Sequence, residues 1–142
     1  MPTLTIIRGL PGSGKSTIAK KISEQTGAQW FEADKFFTNE TTGEYNFDAS
    51  LISNAHQWCQ LSSYKQLRDG NDVVVSNTFT RSWEYSKYID FRLSLPDVTV
   101  KIIEVLTQYE SIHSVPEKTL QEMKQRWETT PEDLDIEVTR IV

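Results

Sequence analysis

Gly9-Leu10-Pro11-Gly12-Ser13-Gly14-Lys15-Ser16-Thr17 decides the reading of this chain. The stretch fits G-x-x-x-x-G-K-[ST], the phosphate-binding P-loop. Before it, the apolar and β-branched run Thr3-Leu4-Thr5-Ile6-Ile7 reads as a buried strand. After it, Ile18, Ala19 and Ile22 recur at helical spacing. Strand, glycine loop and helix, in that order, are the context the pattern requires. The glycines let the backbone approach a ligand closely. Successive N–H groups then point into one concavity, an anion nest, and the helix adds its positive N-terminal end. Lys15 is expected to reach the β- and γ-phosphates, and Ser16 to offer its hydroxyl to Mg²⁺.

Outward from this loop, the chain of 142 residues reads as one domain over 1–142, large enough for a single core. Its composition, 37% hydrophobic and 25% charged, is that of a globular protein without a long disordered part. The apolar runs are far too short for a membrane span. The N-terminus enters the first strand directly and leaves no room for a signal peptide. Cys59 is the only cysteine, so no intrachain disulfide forms. Together these points place the chain in the cytoplasm and away from membranes. A net charge of −5 argues against broad electrostatic binding to nucleic acid, though not against a local basic groove. No His/Cys/Asp cluster has the spacing of a zinc site.

In chain order, the first helix is expected from about Lys15 to Thr26, with Gly27 as its stop. Ala28 to Glu32 forms a short second strand, and Asp34 follows at its C-terminal end. Phe36 to Phe47 reads as a loop beside the site, with aromatic residues that pack the loop or stack on a base. Asp48 caps a long helix to about Arg68, with Leu51, Ala55, Trp58 and Cys59 on one face. His56 in that helix reads as a packing or surface residue. Asp72 to Ser76 is the third strand, and Asn77 to Arg81 the loop at its end. A helix from Ser82 to about Leu93 turns Tyr85, Tyr88 and Ile89 inward. Val98 to Leu106 is the fourth strand. Pro116 opens a last helix with Leu120, Met123 and Trp127 on its apolar face. Trp30 and Trp83 also read as core or helix-packing residues, with the border of a substrate cleft as a second place for Trp83. Ile136 to Val142 alternates like a final strand. Strands alternating with helices predict an α/β fold: a P-loop three-layer sandwich, its mostly parallel sheet of about five strands covered by helices on both faces. Its ligand belongs at the C-terminal strand ends.

The P-loop, Asp34, Val73-Val74-Val75-Ser76-Asn77-Thr78, Ile112-His113-Ser114-Val115-Pro116 and Met123-Lys124-Gln125-Arg126-Trp127-Glu128 resemble the 5′-kinase domain of phage polynucleotide kinase and its small AAA-type ATPase relatives. The resemblance implies ATP on Gly9, Leu10, Pro11, Gly12, Ser13, Gly14, Lys15, Ser16 and Thr17, with Mg²⁺ as cofactor. It implies transfer of the γ-phosphate to a hydroxyl of a nucleic-acid end, nucleoside or small metabolite, with Asp34 as general base. Thr78 and Arg81 join Asp34 as acceptor-side candidates. Three departures stand out. Asn77 replaces an aspartate; its oxygen can still hold a water of the Mg²⁺ shell, without the charge. The lid expected over 107–118 has no arginine. Arg126 is the first substitute, before Arg81, Lys118 and Lys124, and His113 is a candidate contact in the lid. Phe37 stands where an arginine would flank the base. A second reading is therefore an ATP-binding module or weak ATPase that switches a protein partner. GTPase signalling is a third reading, weakened by the lack of a guanine-reading N-K-x-D.

Overall fold

The computed structural model describes residues 2–39, 41–107 and 116–142. The expected lid, with His113, falls largely on 108–115 and lies outside the described residues. The elements are β1 (Thr3–Gly9), α1 (Lys15–Thr26), β2 (Gln29–Phe31), α2 (Ala33–Phe36), α3 (Ile52–Arg68), β3 (Val73–Asn77), α4 (Ser82–Ser94), β4 (Thr99–Val105), α5 (Glu117–Arg126) and β5 (Glu137–Ile141). The strands form one five-stranded sheet in the order β2-β3-β1-β4-β5. Every pairing is parallel. β1 is central, so the loop that follows it emerges in the middle of the C-terminal edge.

Alternation along the strands builds the two faces. Leu4, Ile6, Val73, Val75, Val100 and Ile102 point toward α3 and α4, where Cys59, Leu67, Tyr85, Tyr88 and Ile89 meet them. Ile7, Val74 and Val105 point the other way, to Ala19 and its neighbours Ile18 and Ile22 on α1. The three-layer expectation therefore holds. α1 stops at Gly27, whose φ of 77° accommodates the left-handed cap that ends it. No helix among the described residues is long and apolar enough to cross a membrane.

Two expectations of burial fail for geometric reasons. Asp48 caps a 3₁₀ turn, Ala49–Leu51, before α3 begins. That tighter winding turns Leu51 off the buried stripe and leaves it 39% exposed. Trp83 is 70% exposed. On α4 the inward stripe is Tyr85, Tyr88 and Ile89, and a residue two before Tyr85 lies off that stripe.

Inside the sheet sits a polar knot that the strand pattern conceals. Arg8 of β1 is fully buried. Its Nε and Nη2 donate to the Phe79 carbonyl at 3.0 and 2.7 Å, and Nη2 also donates to the Thr80 carbonyl at 3.2 Å. Nη1 donates to Glu104 Oε1 at 3.1 Å and to Thr130 Oγ1 at 2.8 Å. The guanidinium lies over the rings of Tyr85 and Trp127, 4.8 and 4.0 Å from their centroids. Glu104 in turn accepts from the Thr130 N–H at 2.8 Å, the Thr130 hydroxyl and Arg140 Nε at 3.1 Å. Burial pushes the Glu104 carboxyl up, but the Thr130 hydrogen bonds and the charges of Arg8 and Arg140 outweigh it and hold it below the ordinary range.

Removing one partner from a buried charge pair strands the other, at about 3–5 kcal/mol. We expect Arg8→Ala to lose that much in urea unfolding, whereas Arg140→Ala, at a half-exposed pair, loses under about 1 kcal/mol. Equal midpoints for wild type and Arg8→Ala would reject the knot as a stabilising element.

Candidate active site

The P-loop takes the form its sequence requires. Ser13 N–H donates to the Leu10 carbonyl at 3.1 Å, and the Ile18 N–H returns to Gly14 at 3.1 Å as α1 begins. Gly14 caps α1 at φ 89°. At Gly9 the constraint is space: a Cβ there would stand 2.5 Å from Ser13 Oγ and 3.0 Å from the Val105 carbonyl. The first turn of α1 has no acidic residue to cancel its positive end.

Lys15 and Ser16 face the ends of the neighbouring strands. Burial lowers the Lys15 pKa, and the charges of Glu32 and Asp34 pull it part of the way back. Ser16 Oγ donates to Glu32 Oε2 at 2.9 Å, and Ser76 Oγ donates to the same oxygen at 2.9 Å. Trp30 Nε1 donates to Ser76 Oγ at 3.0 Å, which holds that hydroxyl in place. Asp34 lies in the short helix α2 with an exposed side chain. Its Oδ1 accepts from the Tyr45 hydroxyl at 3.2 Å. Burial raises the Tyr45 phenol pKa, and the Asp34 charge raises it further.

Asn77 ends β3. It is 6% exposed, and its Oδ1 accepts from the Ala33 N–H at 2.9 Å. That bond fixes the start of α2 and takes one of the oxygen's two acceptor positions, and the acid beside Ser16 is Glu32. The hydroxyl of Ser16 and the carboxylate of Glu32 are hard oxygen donors, the kind Mg²⁺ takes. The donor set therefore fits the expected cofactor.

The remaining candidates are spread around this centre. Thr78 is half-buried just past β3. Arg81 caps α4 and Arg126 ends α5; both are exposed, and neither makes an ion pair among the described residues. Lys124, two residues before Arg126, lines a cavity of about 220 Å³ with Leu10, Ser13, Val105, Leu106, Thr107 and Trp127. This cavity lies at the β4 end of the P-loop, and Asp34 lies beyond β2, on the other side of it. The aromatic loop does close on itself, through a Thr38–Tyr45 bridge. Phe37 is buried, with Phe36 and Phe47 edge-on at 5.2 Å each. Tyr45 and Phe47 stay about half exposed and stack with centroids 6.5 Å apart.

Glu32 and Ser76 escape a reading of the sequence. Each looks like an ordinary strand end, and only the parallel pairing of β2 with β3 brings them together. The available signal was an acid two residues before Asp34, at the edge where ligands gather.

Comparison with known proteins agrees with this geometry. An AAA domain family matches residues 4–130. Human NEDD4-binding protein 2 is 33% identical over 89 residues, or 61% of this chain; the match spans 5% of that protein's length. A sugar kinase from Janibacter sp. HTCC2649 superposes with a TM-score of 0.70 at 18% identity, covering 99% of this chain and 85% of that one. Kti12 of Chaetomium thermophilum, solved with ADP-AlF3, gives 0.69 at 10% identity over 98% of this chain and 88% of that one. The structural likenesses establish a kinase-like P-loop fold. The chain belongs to the AAA domain family.

Proposed function

We propose that this chain is an ATP- and Mg²⁺-dependent phosphotransferase that moves the γ-phosphate to a hydroxyl of a nucleic-acid end, nucleoside or small metabolite. The observation that carries the reading is the formed P-loop between β1 and α1, with Gly14 at φ 89° as the α1 cap and the Ser16 hydroxyl 2.9 Å from Glu32, and Asp34 two residues farther on in α2. Lys15 and the loop N–H groups hold the β- and γ-phosphates. The acceptor oxygen attacks the γ-phosphorus, the bond to the bridging oxygen of ADP breaks, and the acceptor proton passes to Asp34. Mg²⁺, when bound at Ser16, neutralises charge on the phosphates. The nucleotide base has a fitting place in the cavity beside Leu10 and Trp127. The acceptor approaches from the Asp34 side, past Tyr45, Thr78 and Arg81. Arg126 is the nearest arginine to the cavity in sequence and the candidate to steady charge on the transferring group.

One feature favours a second reading, an ATP-binding module that switches a protein partner. Residues 107–118 contain no arginine, and an arginine finger is worth about 10³–10⁵ in rate. A partner could supply it in trans.

Transfer of labelled γ-phosphate to a panel of 5′-hydroxyl oligonucleotides, nucleosides and small alcohols tests both, with Lys15→Ala as the blank. We expect label on an acceptor, and a loss of about 10²–10⁴ in transfer for Asp34→Asn with ATP binding retained. Equal transfer by Asp34→Asn removes the general base. Label only in free phosphate turns the reading to the second.

The pH dependence has a fixed sign. Phosphate binds the charged ammonium of Lys15, whose pKa burial lowers from 10.5. ADP affinity should therefore fall as pH rises toward 10.5, at a lower pH than for an ordinary lysine. In Lys15→Ala the profile should be flat over that interval by calorimetry. A flat wild-type profile would remove Lys15 from phosphate binding.

A further inference from the structure

No residue of β3 is charged, and a carboxylate stands just past β2 at Glu32. We infer that Glu32 supplies the carboxylate of the divalent-cation shell, together with Ser16. This rests on the reading of the P-loop as an ATP site and adds to it the residue that makes binding depend on the metal.

Four observations lead there. First, Glu32 stands at the N-cap position of α2, yet its side chain makes no cap hydrogen bond. An acid at that position ordinarily turns back to the first free N–H groups of its helix. Here it turns toward the P-loop. Second, Glu32 Oε2 accepts from Ser16 and from Ser76, both at 2.9 Å. The P-loop hydroxyl on which a cation would sit therefore already points at this carboxylate. Third, the two residues that end β3 near the site, Ser76 and Asn77, are both uncharged, and the Asn77 oxygen is engaged by the Ala33 N–H. Fourth, Ser76 is fixed by Trp30, so its hydroxyl orients Glu32 toward Ser16 from the far side. In the metal-bound state the Ser16 hydroxyl would turn a lone pair outward and Glu32 would keep the Ser76 bond. The carboxylate would face the cation directly or through one water. A carboxylate beside the P-loop hydroxyl opposes a bare polyphosphate and favours the metal-loaded one.

The test separates the metal from the nucleotide. ADP binding is measured by calorimetry with and without Mg²⁺. Mn²⁺ affinity of the ADP complex is measured by electron paramagnetic resonance. The proteins are wild type, Glu32→Gln and Ser76→Ala, with thermal melting to confirm folding. For Glu32→Gln we expect metal-free ADP binding equal to or tighter than wild type and Mn²⁺ binding weakened about 10–100-fold. Ser76→Ala, which removes an orienting bond and keeps the carboxylate, should weaken Mn²⁺ less than Glu32→Gln does. Undiminished Mn²⁺ affinity in Glu32→Gln overturns the inference. So does a loss of metal-free ADP binding in a folded Glu32→Gln, because it would mark a purely structural role. Wild-type protein that binds no ADP under either condition would instead overturn the ATP-site reading itself.

Discussion

The buried guanidinium of Arg8 is the constraint on which the arrangement of the site depends. It stands one residue before the P-loop, on the central strand. Its hydrogen bonds reach the β3–α4 loop at Phe79 and Thr80, β4 at Glu104 and the C-terminal segment at Thr130. Those segments border the C-terminal edge of the sheet, where any ligand must sit. A burial of this kind is tolerable because each N–H has a partner and the carboxylate opposite is itself saturated. The aromatic rings of Tyr85 and Trp127 pack on the guanidinium, which is fully buried.

Phe79 shows what the knot holds against. Its φ of 47° is in the left-handed region, which costs a side-chain-bearing residue about 1–2 kcal/mol. The carbonyl of that residue is the one that accepts twice from Arg8. The strained turn thus lies where its oxygen is fixed, and the ring drops into the core against Tyr85 and Tyr88 at 6.0 and 5.7 Å. The same clamp reaches the end of α5: the Glu128 N–H donates to the Thr80 carbonyl at 2.7 Å, and the Glu128 carboxylate accepts from the Ser82 N–H at 2.8 Å. Trp127 is therefore fixed from both sides, with its ring on Arg8 and a wall of the cavity beside the P-loop.

What could be read from the sequence was what local chemistry determines. The glycine loop, the α1 stop at Gly27 and the inward stripe of Tyr85, Tyr88 and Ile89 depend on residues within a few positions of one another. Arg8 could not be read that way. An arginine in a strand suggests the solvent-facing side of the alternation, and its partners lie 71 to 122 positions away. The bond from the Ala33 N–H to Asn77 was not legible either, because its donor lies on another strand's continuation. Trp83 misled for a simpler reason: a large aromatic near an apolar stripe looks buried until the phase of the helix is fixed by its neighbours.

On the proposed reading, the charges at the site make nucleotide binding depend on a cation. Lys15 has two carboxylates, Glu32 and Asp34, near enough to influence its protonation. In the absence of a nucleotide this gives one positive and two negative charges around a glycine loop that contributes only partial positive charge. An incoming triphosphate brings several more negative charges to the same few ångströms, where each unscreened pair costs on the order of kilocalories. Lys15 alone cannot balance them. A cation between the phosphates and Glu32 can, and it leaves Asp34, on the exposed side with Tyr45, unliganded by metal and available to a proton. On this reading the two acids of Glu32-Ala33-Asp34 divide the work by position. The one that faces the loop compensates charge, and the one that faces the acceptor handles the proton.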